Sequence, residues 1–269
     1  RLTMSATDRD MLKLPKKKFK MWNWVWVILM VLGLVLSVNN TQTSLPEFFA
    51  NFDQFAEIFV QMAQPDWSYA GTAIPYLVET IKMAIISTVI GSLLAFVYSL
   101  LIARNIVHNR AITGVLRFIM NIIRTIPDLL LGSIFVAVVG IGPVAGILAL
   151  TVFTFGVVVK LCYEAIETID PGPSEAIKAV GGNGINNIMF AVMPQILPYF
   201  ISYALYAFEI NVRASTILGY IGAGGIGLQL KNTLDMFNYN QTGMIILVVF
   251  LVVLVIDFVS TKAREALMR

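Results

Sequence analysis

Glu209 and Arg213 stand four residues apart in an otherwise apolar stretch, about Pro194 to Leu218. On a helix that spacing puts both charges on one face, close enough to pair. Two chemistries are open to them. The pair can neutralise itself and stabilise the helix or a subunit seam, because an unpaired charge inside an apolar span is costly. Alternatively, Arg213 can offer its fork of N–H donors to an oxyanion, a geometry that arginine supplies better than lysine. Glu209 would then keep the anion from being held too tightly to leave. Further along, Gly222, Gly224 and Gly225 lie in the run from Gly219 to Gly227, whose spacing matches a dinucleotide fingerprint. That fingerprint needs a preceding strand. Here the neighbours are apolar, so the glycines are expected to permit a broken or closely packed helix. Little else in the chain could do covalent chemistry. Cys162 is the one cysteine and His108 the one histidine, which speaks against a Cys-based or His-based metal or catalytic set. Asp128 and Asp257 come without a companion motif. No Walker motif is present either, so any ATP hydrolysis belongs to a partner.

A second functional stretch runs from Glu164 to Phe200, polar and punctuated by Gly and Pro between two apolar segments. Asp170 is expected to cap a short helix whose first residue is Pro171, since a carboxylate accepts orphan N–H groups and proline has none to lose there. The helix should stop at Gly181-Gly182, where glycine tolerates a left-handed C-cap. Ala176, Ala179 and Gly181 leave one side of it nearly without side-chain bulk, so another protein surface could approach its backbone closely.

The elements that position these residues follow from composition. Of 269 residues, 58% are hydrophobic and only 13% charged, and the mean hydropathy is +0.79, far from the roughly 25% charged of a soluble domain. The chain reads as an all-α integral membrane protein. Its net charge of +3 is no nucleic-acid signal, because Lys and Arg gather beside the apolar runs and act as topology determinants. Residues 1–20 form a basic cytoplasmic tail. Residues 21–75 hold a first, uncleaved span, Trp22 to Val38, and an external loop, since 39–76 carries Glu47, Asp53, Glu57 and Asp66 without Lys or Arg. Within it, Ser44 to Gln61 has apolar residues at near-helical spacing, for a helix lying on the outer membrane surface or packed on a neighbouring span. The next span, about Leu77 to Ala103, returns the chain to Arg104, His108 and Arg110. Residues 111–126 place Arg117 and Arg124 on one helical face and suit the cytoplasmic interface. From Leu129 to Val159 a hairpin turns at Gly140-Ile141-Gly142-Pro143. Its first arm, starting near Pro127, is short and reaches only part of the way unless the preceding turn is included. The second arm delivers the 164–193 loop to the cytoplasm. A span from Pro194 to Leu218 and a last one from Thr242 to Thr261 bring the total to about six transmembrane helices, with both termini cytoplasmic.

Glu175-Ala176-Ile177, then Gly181, then Met193-Pro194 resembles the "EAA" loop of permease subunits of ABC importers, with Ile177 and Met193 departing from the usual residues. From about Tyr76 to Arg269 the chain resembles the methionine-importer-like group of type I importer permeases. It is most similar to the phosphonate transporter permease, through residues 124–128, 140–143, 169–176, 208–213 and 222–227. The resemblance implies a permease core over 76–269 in a bacterial inner membrane. The 170–194 loop would dock on a cytoplasmic ATPase through Asp170, Gly172, Glu175, Ala176, Ala179, Gly181 and Pro194. Glu209, Arg213, Gly222, Gly224 and Gly225 would flank the translocation pathway. It further implies a homodimer, two ATPase subunits that bind ATP and Mg, and an external substrate-binding protein. This chain itself would hold no cofactor, no metal and no nucleic acid, and would contact membrane lipid. The cargo would be phosphonate or a related phosphorus oxyanion. A permease for another small solute such as methionine, or a stand-alone channel or carrier, is the alternative.

Overall fold

The computed structural model describes residues 21–40 and 50–267. The basic tail 1–20 and the first part of the expected 44–61 helix lie outside the described residues. Two compact units divide between Glu57 and Ile58. In the first, helix α1 (Met21–Asn40) is apolar from Trp24 to Val38. Twenty residues at 1.5 Å each give about 30 Å, the thickness of a hydrocarbon core. Trp22 and Trp26, one turn apart, meet edge to face with centroids 6.3 Å apart. Helix α2 (Phe52–Met62) starts with Asp53 in its first turn, where a carboxylate complements the helix dipole.

The second unit is built around α3 (Ala70–Ile102) and α6 (Pro143–Thr168), which pack along most of their lengths. The seam explains itself from residue size. On α3 the buried positions include Ala84, Ser87, Thr88, Gly91, Ser92, Ala95 and Ser99, while Ile85, Ile86, Val89, Ile90, Leu93, Leu94 and Val97 are exposed. This is small-in, large-out, the pattern of helices that pack backbone to backbone where lipid removes any penalty for exposed leucine. A Cβ built on Gly91 would lie 2.7 Å from the Cβ of Thr154, so glycine is what lets the two helices touch there.

Helix α4 (Arg110–Thr125) is capped by Asn109, whose Oδ1 accepts the N–H groups of Ala111 and Ile112 at 3.0 and 3.3 Å. Helix α5 (Asp128–Val139) follows at a bend of 85°. The bend falls at Pro127, and Ile126 before it is extended, as a residue preceding proline must be. Twelve residues reach only about 18 Å, so α5 alone falls short of a membrane thickness, in keeping with the short first arm. The turn at 140–143 then feeds α6.

After α6 come the short helices α7 (Gly172–Ala179) and α8 (Gly184–Asn187), a π-helical turn (Ile188–Val192), α9 (Met193–Tyr220), α10 (Gly225–Asp235) and α11 (Tyr239–Leu267). Among the described residues no strand occurs, which removes the dinucleotide reading of Gly222–Gly227. Four helical stretches are long and apolar enough to cross a membrane, and the bent α4–α5 pair adds a fifth. The expected six is reached when the shorter apolar run of α1 is counted with them. Within the second unit, which begins at Ile58, the last turn of α2 and the residues after it pack on α11: a Cβ at Gly243 would strike the Met62 backbone, and Asn240 Nδ2 donates to the Gln64 carbonyl at 2.8 Å.

Candidate functional site

Pro171 is the residue that flanks α7, so the helix begins one position later than the sequence suggests. Asp170 nevertheless serves the start of the helix, because its Oδ1 accepts the Gly172 N–H at 2.9 Å. The end matches the expectation closely. Gly181 has φ +80°, its N–H donates to the Lys178 carbonyl at 3.0 Å, and the Gly182 N–H donates to the Ile177 carbonyl at 2.9 Å. This pair of bonds is the Schellman closure. Glu175, Ala176, Ala179 and Gly181 are all exposed. Around them Val180, Ile185, Met189 and Phe190 are exposed too, at 81, 73, 59 and 67%, an apolar rim that the sequence reading missed.

Three contacts anchor this loop that spacing alone could not reveal. Gln195, the residue after Pro194, accepts the Asp170 N–H at 3.1 Å and donates to the Asp170 carbonyl at 3.2 Å, so the loop's two ends are closed on one side chain. Ser174 Oγ donates to Asn187 Oδ1 at 2.6 Å and ties α7 to α8. At the root, Glu167 on α6 pairs with Arg117 on α4 and accepts the Arg104 N–H at 2.8 Å. Arg117 also donates to the Ile102 carbonyl at 3.1 and 2.9 Å and lies 4.5 Å from the Tyr163 ring centroid. The last turn of α6, from which the loop departs, is thereby bound to both α3 and α4.

Glu209 and Arg213 do pair on α9, and a third residue joins them. Arg264, in the last turn of α11, donates to Glu209 Oε2 at 3.1 Å. Glu209 is only 6% exposed. Arg264 follows the last apolar run, where spacing assigns a basic residue only a topological role, and its 55-residue separation from Glu209 hides the contact. Two residues further along α9, the fully buried Asn211 donates to Thr88 Oγ1 at 2.8 Å and to Thr154 Oγ1 at 2.7 Å, joining α9 to α3 and α6.

Within the glycine run, residues 221–224 form the turn between α9 and α10, while Gly219 in α9 and Gly227 in α10 are so closely packed that a Cβ on either would strike backbone. Gly224 has φ +80°, and a Cβ on it would lie 2.8 Å from the Pro143 nitrogen. The Gly142 N–H donates to the Gly222 carbonyl at 3.0 Å, so this turn is stitched to the 140–143 turn. The start of α10 is satisfied from α3, with Gly225 N–H donating to Glu79 Oε1 at 3.3 Å and Ile226 N–H to Thr80 Oγ1 at 2.8 Å. At the other end of α10, Lys231 donates to Asp235 Oδ2 at 2.6 Å, and that bond holds the amine above its ordinary pKa. Glu209 and Arg213 thus form one cluster, while Gly222, Gly224 and Gly225 form a separate packed turn. Among the described residues no group of His, Cys, Asp and Glu could hold a metal ion.

Residues 95–267 match the family described as "Binding-protein-dependent transport system inner membrane component". The chain is 38% identical over 201 residues to the phosphite transport system permease protein PtxC of Stutzerimonas stutzeri, covering 75% of this chain and 73% of that one. It is 36% identical over 211 residues to the phosphate-import permease protein PhnE of Mycolicibacterium smegmatis; that match takes in 78% of this chain but spans only 40% of the relative's length. In fold it is similar to an inward-facing structure of the MetNI methionine ABC transporter, with a TM-score of 0.66 and 22% identity, covering 76% of this chain and all of that one. A match over most of the chain, together with a relative of this identity, establishes that the protein belongs to the family of binding-protein-dependent transport system inner membrane components, as a type I ABC importer permease close to those for phosphonate and phosphite.

Proposed function

We propose that this permease carries phosphonate or a related phosphorus oxyanion inward, driven by ATP that a partner subunit hydrolyses. The observation that carries the substrate is the identity to relatives named for phosphate and phosphite import, 36 and 38%, over three-quarters of the chain. The cationic balance of the Glu209, Arg213 and Arg264 cluster accords with an anionic cargo. For coupling, the support is the exposed, doubly closed α7 with its apolar rim. Two copies of the chain would stand over two ATPases that bind ATP and Mg, with an external binding protein delivering the cargo. Closure of the ATPase pair would draw the α7 helices together and tilt the spans attached to them, a rigid-body displacement of packed helices. The loop and both termini would face the cytoplasm.

The test is uptake in cells lacking their own phosphorus importers, supplied with this permease, its co-encoded ATPase and its binding protein. Methylphosphonate, phosphite or phosphate should enter, and uptake should stop when the ATPase is made hydrolysis-deficient. Entry of methionine with none of the three oxyanions would replace the cargo, and uptake that persists without hydrolysis would make the protein a stand-alone carrier.

A further inference from the structure

Two arginines converge on one buried carboxylate, and they are not equivalent. Arg264 is committed: its side chain is 24% exposed, its Nη2 donates to Glu209 Oε2 at 3.1 Å and to Thr261 Oγ1 at 3.2 Å, and its Nε donates to the Ser260 carbonyl at 3.4 Å. Its guanidinium also lies 5.9 Å from the Tyr206 ring centroid. Arg213 is 52% exposed, and Glu209 is its one hydrogen-bond partner among the described residues. Neutralising Glu209 requires a single cation, which Arg264 supplies. Arg213 is therefore a surplus positive charge in an apolar span, and such a charge is costly to keep without use. Its guanidinium retains a free edge of N–H donors, and a fork of that kind matches a tetrahedral oxyanion two bonds at a time.

We propose that Arg213 binds the phosphorus oxyanion and that Arg264 is the positioning residue that makes this exchange possible. When the anion takes the Arg213 fork, Glu209 keeps Arg264 and is never left as an uncompensated buried charge. When the anion leaves, Glu209 recaptures Arg213, so the carboxylate acts as a resident stand-in for the cargo. This rests on the oxyanion reading of the transporter and adds its binding residue and that residue's support. The ligand chemistry, a phosphorus oxyanion bearing free oxygens, is shared by soluble substrate and by an anionic lipid headgroup.

The experiment measures how fast an arginine-directed dicarbonyl reagent modifies Arg213 in the purified full-length permease with its partners, read by peptide mass spectrometry. At a methylphosphonate concentration about ten times its dissociation constant, modification should slow about tenfold, because roughly nine sites in ten are then occupied. Arg264→Lys should keep that protection. Arg264→Met should lose it while retaining assembly, verified by co-purification and an unfolding midpoint. Protection in Arg264→Met equal to wild type overturns the positioning role, a result that a merely structural Arg264 would produce. Absence of protection in wild type by methylphosphonate, phosphite or phosphate overturns the site. Uptake measured on the same complex then shows whether the cargo assignment falls with it or stands. Protection by phosphatidylglycerol vesicles but not by the soluble anions assigns Arg213 to lipid and overturns the substrate site.

Discussion

Gly181 combines φ +80° with open space where a side chain would begin. Leucine there strains the C-cap by about 1 kcal/mol, but its Cβ meets no atom of this chain within 4 Å, so the permease should fold with a slightly lowered unfolding midpoint. Its ATPase should co-purify poorly, or hydrolyse without transport, because on the proposed docking the new side chain would enter the partner's space. Gly181→Asn, which tolerates the left-handed backbone, should be milder in both respects; full co-purification and transport by the leucine variant would remove α7 from the docking surface. The roles of Asp170 and Gly181 were legible because a cap acts within a few residues of its own position. Gln195 and Arg264 were not, because each gains its meaning from a partner 25 or 55 positions away. Arg264 also changes which substitutions are informative at the charge cluster. Exchanging Glu209 and Arg213 would press an arginine at 209 against Arg264, so the exchange is not charge-neutral in its surroundings, and variants that leave Glu209 in place report more cleanly.

Among the elements, the loop from α6 to α9 depends on Gln195, whose amide bonds Asp170 on both backbone groups and the Ala191 carbonyl at 2.9 Å. Gln195→Leu removes all three bonds and should lower stability by about 1–3 kcal/mol. More tellingly, under the proposed coupling ATP hydrolysed per oxyanion imported should rise, since a loosened base would transmit less of a displacement of α7 to α6 and α9. An unchanged ratio, measured in proteoliposomes, would show that the closure does not carry the coupling. The spans themselves were readable from apolar runs, and α9 extends only from the expected Pro194–Leu218 to Met193–Tyr220. The bend between α4 and α5 was legible in part: Arg117 and Arg124 marked an interfacial helix, whereas the 85° turn depends on Pro127 and on Arg124 lying over Gly156, where a Cβ would meet Arg124 Cγ at 2.9 Å. Helix-face analysis could not locate the α3–α6 seam by hydrophobicity, because in lipid the buried stripe is the less apolar one.

For the whole permease, the direction of the spans sets which surface would meet the proposed ATPase. Asn183 lies beside α7, and Asn238 lies between α10 and α11; both are exposed. In a Cys162→Ser background, single cysteines at these two positions should divide: an impermeant thiol reagent added to intact cells should label 238 strongly and 183 only after lysis. The reverse pattern would invert the topology and with it the direction of coupling. The overall class was plain from 58% hydrophobic and 13% charged residues, while the joining of spans by Asn211, Thr88 and Thr154 needed coordinates, since polar residues in apolar runs name no partner. The closure of the loop by one glutamine has a consequence for how such machines diversify. Because Asp170 and Gln195 hold the insert's ends together, everything between them can change in length and outer face while the two spans keep their separation. If the insert docks the ATPase as proposed, it would behave as a cartridge: such a permease could exchange its motor without retuning its cargo route, and lineages could revise the two choices independently.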